Sequence, residues 1–403
     1  MFKLIKNEMI KILKSKKYIV AMSILLVLYI GMTLLMCNNA KNSKPEARLN
    51  KNKEYMEYLQ KEKEKSGVSE KRKTELDKQL KDAEMQNKNI EFAIANSNME
   101  WHEKLKKYNE ELKKQLKEAE ENSNNQAIVR CREQIASNEY CLTNNIKPTP
   151  DSEITSFNMM PNVNAFIGML VISIIIAIIT SDSISGEFNP ATIKYLLTKP
   201  ISREKVVFSK FAASILTCMV SFFILKVIVF LGIGIIFNFG NYKEPISIIT
   251  KYTADKDLIA QTGLGVKPDI SSLKTLSTLK FTLLCEAFNL LFICACAAVC
   301  FLISTLSKKA STSISISIVL LVIVSIFTAF QTANNGGSIA VRKVLPYLFS
   351  TYSSGEFILS GELFIKLGQS FITIPFVIMI LIVWTVVCYS ISNFVFVKKD
   401  ILS

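Results

Sequence analysis

Two ionisable residues, Lys226 and Glu286, stand well inside long apolar runs of the sequence. A charge in hydrocarbon costs about 2.5–3.5 kcal/mol on insertion scales, so each side chain needs a partner, a cavity or an interface. If the two runs are neighbouring helices, a rise of 1.5 Å per residue places the residues roughly 15 and 10 Å from one membrane face, close enough to meet. The alternative is that Lys226 extends to the interface, while Glu286 is protonated or faces water.

The other reactive residue types form no catalytic or metal-binding pattern. His102 is the single histidine of the 403 residues, which excludes a His-based triad and a multi-histidine metal site. Four of the nine cysteines, Cys285, Cys294, Cys296 and Cys300, fall within one apolar run, where cysteine behaves as a small apolar residue. Neither G-x-x-x-x-G-K-[ST] nor G-x-G-x-x-G occurs. We therefore expect no catalytic residue, no metal ligand and no cofactor in this chain.

Charged and apolar residues are segregated along the chain and not mixed as in a soluble domain. The polar segment 38–161 carries 23 Lys and Arg residues against 22 Asp and Glu residues, whereas the rest of the chain carries 25 against 12. Almost all of the net charge of +14 therefore lies beside apolar runs. Because phosphate binding needs basic residues on a solvated face, this distribution argues against nucleic acid as a partner.

Six apolar runs are long enough, at about 20 residues each, to cross a bilayer as helices. They are approximately Tyr18 to Cys37, Val163 to Ser181, Phe211 to Phe237, Leu279 to Ile303, Ile314 to Phe330 and Phe371 to Phe394. The sequence predicts an all-α, multi-pass membrane protein with three parts. Residues 1–37 form an N-terminal helix and the first span, 38–161 a polar segment, and 162–403 a five-helix transmembrane domain.

The basic residues of the short loops set the orientation of the spans. Segments on the side of the N-terminus hold 15 Lys and Arg residues in 63, whereas the short segments on the opposite side hold 9 in 83. We expect both termini in the cytoplasm and the polar segment outside the cell.

The stretch FKLIKNEMIKILK precedes the first span. It places Phe2, Ile5, Met9 and Ile12 on one helical face and most lysines elsewhere, which is typical of an amphipathic helix at the membrane surface. The alternative is a solvated, positively charged start to the first span.

Apolar residues recur at intervals of three and four through the polar segment, with Lys and Glu between them, as in a coiled coil. Helix-breaking clusters occur at 66–67, 96–98 and 122–125, and the middle cluster lies near the centre of the segment. Since both ends of the segment return to one membrane face, we predict an extracellular α-helical coiled-coil hairpin between spans one and two, with its tip near Asn96. One long helix over 69–121 is the alternative.

Apolar residues flank the predicted tip of this hairpin. They include Ile94, Met99 and Trp101. If these side chains are exposed, they form a contact site for a partner outside the cell; if they are buried, they hold the turn closed.

The cytoplasmic segment between spans two and three, 182–210, contains a short helix of its own. Asn189-Pro190 is a typical helix start, and Pro200 ends the helix. A helix of about ten residues is marginal alone, so its apolar side needs a partner. We predict a crosswise helix that receives a push from a cytoplasmic protein.

The side chains of this segment suggest how such a protein would dock. Ile193, Leu196 and Leu197 line one side of the short helix, and Glu187 and Arg203 stand at its ends as polar anchors. A solvated loop explains the two charged residues equally well.

The same segment resembles the cytoplasmic loop of the ABC-2 type permeases, the membrane subunits of bacterial ATP-driven exporters. The pattern E-x-x-x-x-T-x-x-x-L-L-x-x-P-x-S-R-x-x-x-x-x-S-K is formed by Glu187, Thr192, Leu196, Leu197, Pro200, Ser202, Arg203 and Lys210. Six spans, an amphipathic N-terminal helix and a basic end such as FVFVKKDI are similar as well. The chain departs from the family in having Ala191 where Gly is usual. Its long outer segment is similar to the phage infection protein group, which leaves the substrate open.

The resemblance implies a permease that pairs with a second permease subunit, identical or related, and with two copies of a separate ATPase that binds ATP and Mg²⁺. Closure of the ATPases would press on segment 187–203 and on the N-terminal helix. Such families commonly export a lipid, a peptide antibiotic or another amphipathic compound. The alternative is a membrane-anchored coiled-coil scaffold of the cell envelope; an adjacent ATPase gene would favour the permease.

Overall fold

The computed structural model describes residues 1–41, 45–65, 70–96, 99–122, 125–150, 153–188, 202–333 and 339–398. Within these residues, six helices have the length and composition to span a membrane. We number all α-helices in chain order, beginning with the short helix α1 (Phe2–Leu13). The six spans are α2 (Lys16–Lys41), α7 (Ser156–Thr180), α8 (Arg203–Ile236), α10 (Thr278–Leu306), α11 (Ala310–Ala333) and α15 (Ile374–Lys398). The prediction of a mainly helical membrane protein with six spans is confirmed.

Helix α10 is the centre of the transmembrane part. It packs against four other spans, α7, α8, α11 and α15. Small buried side chains on α10, among them Ala295, Cys296, Ala298 and Cys300, let the neighbouring helices approach closely. The first span, α2, packs mainly on α7 and so lies at the edge of the bundle.

The described residues of the polar segment form four helices, α3 (Pro45–Lys63), α4 (Glu70–Ala95), α5 (Trp101–Glu121) and α6 (Asn125–Thr143). We call residues 45–143 the insert. Helix α3 packs on α4 through Leu59, Leu76 and Leu80, and α5 packs on α6. Helix α4 also meets α5, where Phe92 stacks on Tyr108 with 5.3 Å between ring centroids. The predicted hairpin with two long arms is not confirmed.

The difference has a physical reason in the helix-breaking clusters. Helices end or begin beside all three clusters, and not only beside the central one. The chain therefore makes two helical pairs, each of which buries its own short apolar stripe. Leu76 is fully buried in the first pair and Leu112 in the second.

Two small antiparallel sheets that the sequence did not predict lie between α8 and α10. Strand β1 (Pro245–Ile249) pairs with β4 (Leu273–Ser277), and β2 (Tyr252–Ala254) pairs with β3 (Val266–Pro268). Helix α6 packs on β1 and β4. Four short helices complete this end of the bundle: α9 (Lys256–Thr262), α12 (Ile339–Val344), α13 (Gly355–Leu359) and α14 (Glu362–Leu367).

The bundle therefore has two different ends. At the α1 end, α1 packs on α8 beside segment 181–188, which follows α7. At the insert end, the insert, the small sheets and α12 to α14 lie together; Ser137 of α6 bonds Ser247 of β1 at 2.9 Å, and Tyr252 of β2 packs on Phe364 of α14.

Candidate functional site

A buried ionic cluster joins three elements at the α1 end. Lys210 of α8 donates to Glu8 of α1 at 2.9 Å and to Glu187, which follows α7, at 2.8 Å. Lys11 of α1 also pairs with Glu187. The side chains of Lys210 and Glu187 are only 5% and 4% exposed, so both charges depend on each other for compensation. The cluster thereby fixes α1 to the beginning of α8.

The charges of the cluster also act on Lys11. Burial lowers the pKa of Lys11, but the hydrogen bond to Glu187 and the negative charges of Glu187, Glu8 and Asp182 outweigh burial and raise this pKa above its ordinary value. Lys11 therefore stays positively charged at neutral pH.

Segment 181–188 is fastened to further spans by polar contacts. Lys17, at the beginning of α2, pairs with Asp182. Ser183 bonds Ser214 of α8 at 2.9 Å between hydroxyl oxygens. The backbone N–H groups of residues 184 and 185 both donate to the Ser304 hydroxyl of α10 at 3.0 Å. The segment is therefore in direct contact with α2, α8 and α10.

The structure places two of the predicted coupling residues. Glu187 is part of the ionic cluster, and Arg203, the first residue of α8, donates to the carbonyl oxygen of Val397 in α15 at 3.1 Å. The other three lie outside the described part of the chain: Ile193, Leu196 and Leu197. Glu187 and Lys210, the first and last residues of the loop pattern, thus meet across the undescribed stretch between them.

A second polar site lies within the transmembrane part. Lys226 Nζ of α8 is 2.8 and 2.9 Å from the two carboxylate oxygens of Glu286 in α10. The two side chains are 7% and 16% exposed. The structure therefore has Lys226 and Glu286 paired with each other, and not an isolated Lys226 that extends to the interface.

Asn289 links this pair to α13. It lies near Glu286 on α10, donates to that carboxylate at 3.4 Å and accepts the backbone N–H of Gly355 at 2.9 Å. A Cβ atom at position 355 would lie 2.2 Å from the carbonyl oxygen of Cys285, so only glycine allows α13 to approach α10 this closely.

The next residue, Glu356, carries a carboxylate that the sequence analysis did not select. It accepts from Asn164 of α7 at 3.2 Å and from Ser354 at 3.0 Å. Asn164 in turn accepts from the hydroxyl of Tyr29 in α2 at 3.2 Å. The usable indication in the sequence was Asn164 itself, because an amide within an apolar span needs hydrogen-bond partners.

The residues predicted at the coiled-coil tip, Ile94, Met99 and Trp101, are all half-buried. Trp101 packs against a small apolar cluster that contains Ile146, a residue that leads into α7. The beginning of α5 therefore lies beside the end of α6. Of the three side chains, Trp101 is the one that this cluster contains.

These features define a class of protein: a multi-pass membrane subunit whose α1 end fastens an amphipathic helix and a loop to the spans. The family model of ABC-2 family transporter proteins matches residues 2–401, and the chain belongs to this family. It is also similar to the uncharacterized protein YhcI of Bacillus subtilis (strain 168), with 26% identity over 274 residues, 67% of this chain and 76% of that protein. The chain is thus a membrane permease subunit for transport, and its family implies an ABC ATPase as partner.

Proposed function

We propose that this permease exports an amphipathic compound, such as a lipid or a peptide antibiotic, across the bacterial plasma membrane. A separate ATPase binds ATP and Mg²⁺ and supplies the energy. The permease acts with a second permease subunit, identical or related. The α1 end and both chain termini face the cytoplasm, and the insert lies outside the cell.

The observation that carries this proposal is the buried ionic cluster. A push from the ATPase on segment 187–203 reaches Glu187 directly, and Glu187 is bonded to both α1 and α8. Removing one partner of a buried ion pair costs about 3–5 kcal/mol, so the cluster resists being pulled apart. Movement of the loop is therefore passed on to the spans as movement of one connected unit.

The spans contain a place where such movement can be absorbed. Helix α7 departs from helical geometry at Gly168, with φ −7° and ψ −122°. Gly168 lines a small cavity together with Asn164, Lys226 and Glu356, so the bend lies beside the intramembrane polar site. Sharp kinks in helices have few causes, glycine among them, and the residues that serve as hinges are often small. We assign the bend the role of hinge between the α1 end and the polar site.

The proposal is tested by changing the predicted docking face. The double variant Leu196→Asp and Leu197→Asp should remain in the membrane but lose copurification with the ATPase and lose stimulation of ATP hydrolysis by exported compounds. The matched control is Ser311→Asp and Thr312→Asp, which adds two acidic residues at the exposed beginning of α11, at the same end, and keeps the basic residues of the loop. The control should keep both properties.

Two results would contradict the proposal. One is a docking-face variant that keeps both copurification and transport. The other is an unmodified chain that captures an envelope protein through the insert and never an ATPase, which would favour the scaffold.

A further inference from the structure

A cavity of about 210 Å³ lies between α7, α8 and α10, in the half of the bundle nearer the insert. Most of its wall is apolar, and four aromatic rings line it: Phe157, Phe223, Phe230 and Phe281. Its polar lining includes Lys226, Glu286 and Glu356. The cavity therefore combines aromatic faces with charged groups, which a cavity filled only by lipid tails would not need.

The charges of this cavity do not balance. Lys226 and Glu286 neutralise each other through the salt bridge at 2.8 Å. Glu356 accepts from Asn164 and Ser354, which are neutral donors. Within the described residues, no Lys, Arg or His lies within salt-bridge distance of Glu356. One negative charge thus remains in the cavity without a counter-ion from the described part of the chain.

The cavity is reached from the bilayer and leads towards the insert. Val227, Leu279 and Leu283 line it and are exposed on the surface of the bundle, where lipid would contact them. On its other side it adjoins a larger cavity of about 830 Å³ beneath the insert, because Phe157 and Phe281 line both. The cavity is therefore bordered by lipid-facing side chains on one side and by the space below the insert on the other.

We propose that the 210 Å³ cavity binds an amphiphile with a cationic head group, either a protonated amine or a quaternary ammonium. The head group lies against Glu356 and the phenylalanine faces, because aromatic rings attract cations through their quadrupole. The apolar tail lies along Val227 and Leu283. This inference rests on the proposed function, since it names the class of compound that the permease moves.

The charges of the cavity disfavour the other head groups. An anionic head group would meet two carboxylates, while the one ammonium, that of Lys226, is already engaged by Glu286. A neutral head group would leave Glu356 without a counter-ion in a mostly apolar surrounding, which is unfavourable. A single positive charge compensates the carboxylate and fits the aromatic wall.

The test compares three probes with the same tail and different head groups: dodecyltrimethylammonium, dodecanol and dodecyl sulfate. Equilibrium binding to the full chain in lipid nanodiscs is measured below the concentrations at which micelles form. We expect the cation to bind at least about tenfold more tightly than either of the other two probes.

Two variants locate the binding. Glu356→Gln should weaken binding of the cation about tenfold and leave dodecanol unchanged. Val227→Trp, which places bulk at the lipid-facing rim of the cavity, should weaken all three probes. The matched control is Glu362→Gln on α14, where the carboxylate is exposed and paired with Lys366 at 2.7 Å; its affinities should equal those of the unmodified chain. Thermal unfolding in the same nanodiscs shows that each variant is folded.

Equal binding of the three probes would overturn the inference, as would a preference for the cation that survives both Glu356→Gln and Val227→Trp. A preference for dodecyl sulfate would contradict it as well and assign recognition to Lys226. None of these measurements involves the ATPase. A chain that binds the cation but captures no ATPase would support the binding site and refute the transport proposal. A chain that couples to an ATPase but shows no head-group preference would support the transport proposal and refute the binding site.

Discussion

The insert and the transmembrane part both use pairs of basic and acidic residues, but they place them differently. In the insert, Arg132 and Glu120 pair at 2.9 Å with side chains that are 43% and 46% exposed. In the transmembrane part, Lys210 and Glu187 pair at 2.8 Å and are almost completely buried. The distances between the paired nitrogen and oxygen atoms are nearly equal, so the two pairs differ mainly in how deeply their side chains are buried.

This difference decides what the pairs do. An exposed ion pair contributes about 0–1 kcal/mol, because water already solvates both charges. A buried pair contributes little relative to an apolar pair, but removal of one partner costs about 3–5 kcal/mol. The charges of the insert therefore keep its helices soluble, whereas those of the transmembrane part fix which helices touch. The following experiments test this contrast, beginning with the largest expected effect.

Reversal of one charge in the cavity should have the largest effect. Lys226→Glu brings a third carboxylate next to Glu286 and Glu356 in an apolar surrounding, so the amount of assembled protein should fall severalfold or more. The double variant Lys226→Glu with Glu286→Lys should restore it, because the salt bridge can form in the reverse direction. The measurement is the amount of folded protein extracted from membranes.

A matched control for this reversal is Lys280→Glu at the exposed beginning of α10, which should assemble normally. If the double variant assembled less well than either single variant, the two charges would not be held together by their mutual attraction.

Removal of a charge from the ionic cluster should have the next largest effect. Lys210→Ala leaves Glu187 and Glu8 without their buried partner and should destabilise the chain by about 3–5 kcal/mol. Thermal unfolding in detergent measures the loss. Lys205→Ala, an exposed lysine earlier in α8, should lie within about 0.5 kcal/mol of the unmodified chain. Equal stability of the two variants would mean that the cluster does not hold α1 in place.

The contrast also shows what could be predicted from the sequence. The six spans could be predicted because a bilayer demands about 20 consecutive apolar residues from each. Lys226 and Glu286 could be selected because charges within such runs are rare and need partners. The ionic cluster could not be predicted as a whole: Glu8 and Lys210 are 202 residues apart, and single lysines in basic loops do not reveal which acid they meet.

The insert was harder to predict for a different reason. A stripe of apolar residues predicts a helix with one buried side but does not say which helix covers it. Helices end or begin beside all three breaking clusters, so the described residues form α3 to α6 where two long arms were predicted, and Trp101 packs beside the end of α6. The sheet of β2 and β3 was missed because these strands have three residues each, too few for an alternating pattern.

Glu133 in α6 is half-buried, unlike the exposed pair of Arg132 and Glu120, and it should make the stability of the chain depend on pH. Burial raises the pKa of Glu133 from 4.5 to about 7, although the positive charge of Arg130 opposes the shift. Because the pKa is higher in the folded chain, the folded state binds more protons between about pH 4.5 and 7, and stability falls as the pH rises through this window. Glu133→Gln should therefore stabilise the chain by on the order of 2 kcal/mol at about pH 8 and leave it nearly unchanged below about pH 4.

Thermal unfolding of both proteins at several pH values checks this prediction. Glu110→Gln, at an exposed position of α5, serves as the control and should not alter the pH dependence. A Glu133→Gln variant with the same pH dependence as the unmodified chain would show that Glu133 ionises normally in the folded state.

The smallest effect is expected for the exposed pair of Arg132 in α6 and Glu120 in α5. Arg132→Ala, Glu120→Ala and the double variant form a thermodynamic cycle that isolates the interaction between the two side chains. We expect a coupling free energy of about 0.2–1 kcal/mol at low salt, because the side chains lose conformational freedom when they pair and water screens their charges. At high salt the coupling should approach zero, since both charges are exposed to counter-ions.

A coupling above about 2 kcal/mol, or one that persists at high salt, would place this pair with the buried ones. Burial would then no longer explain why the insert and the transmembrane part use the same residue types for different purposes.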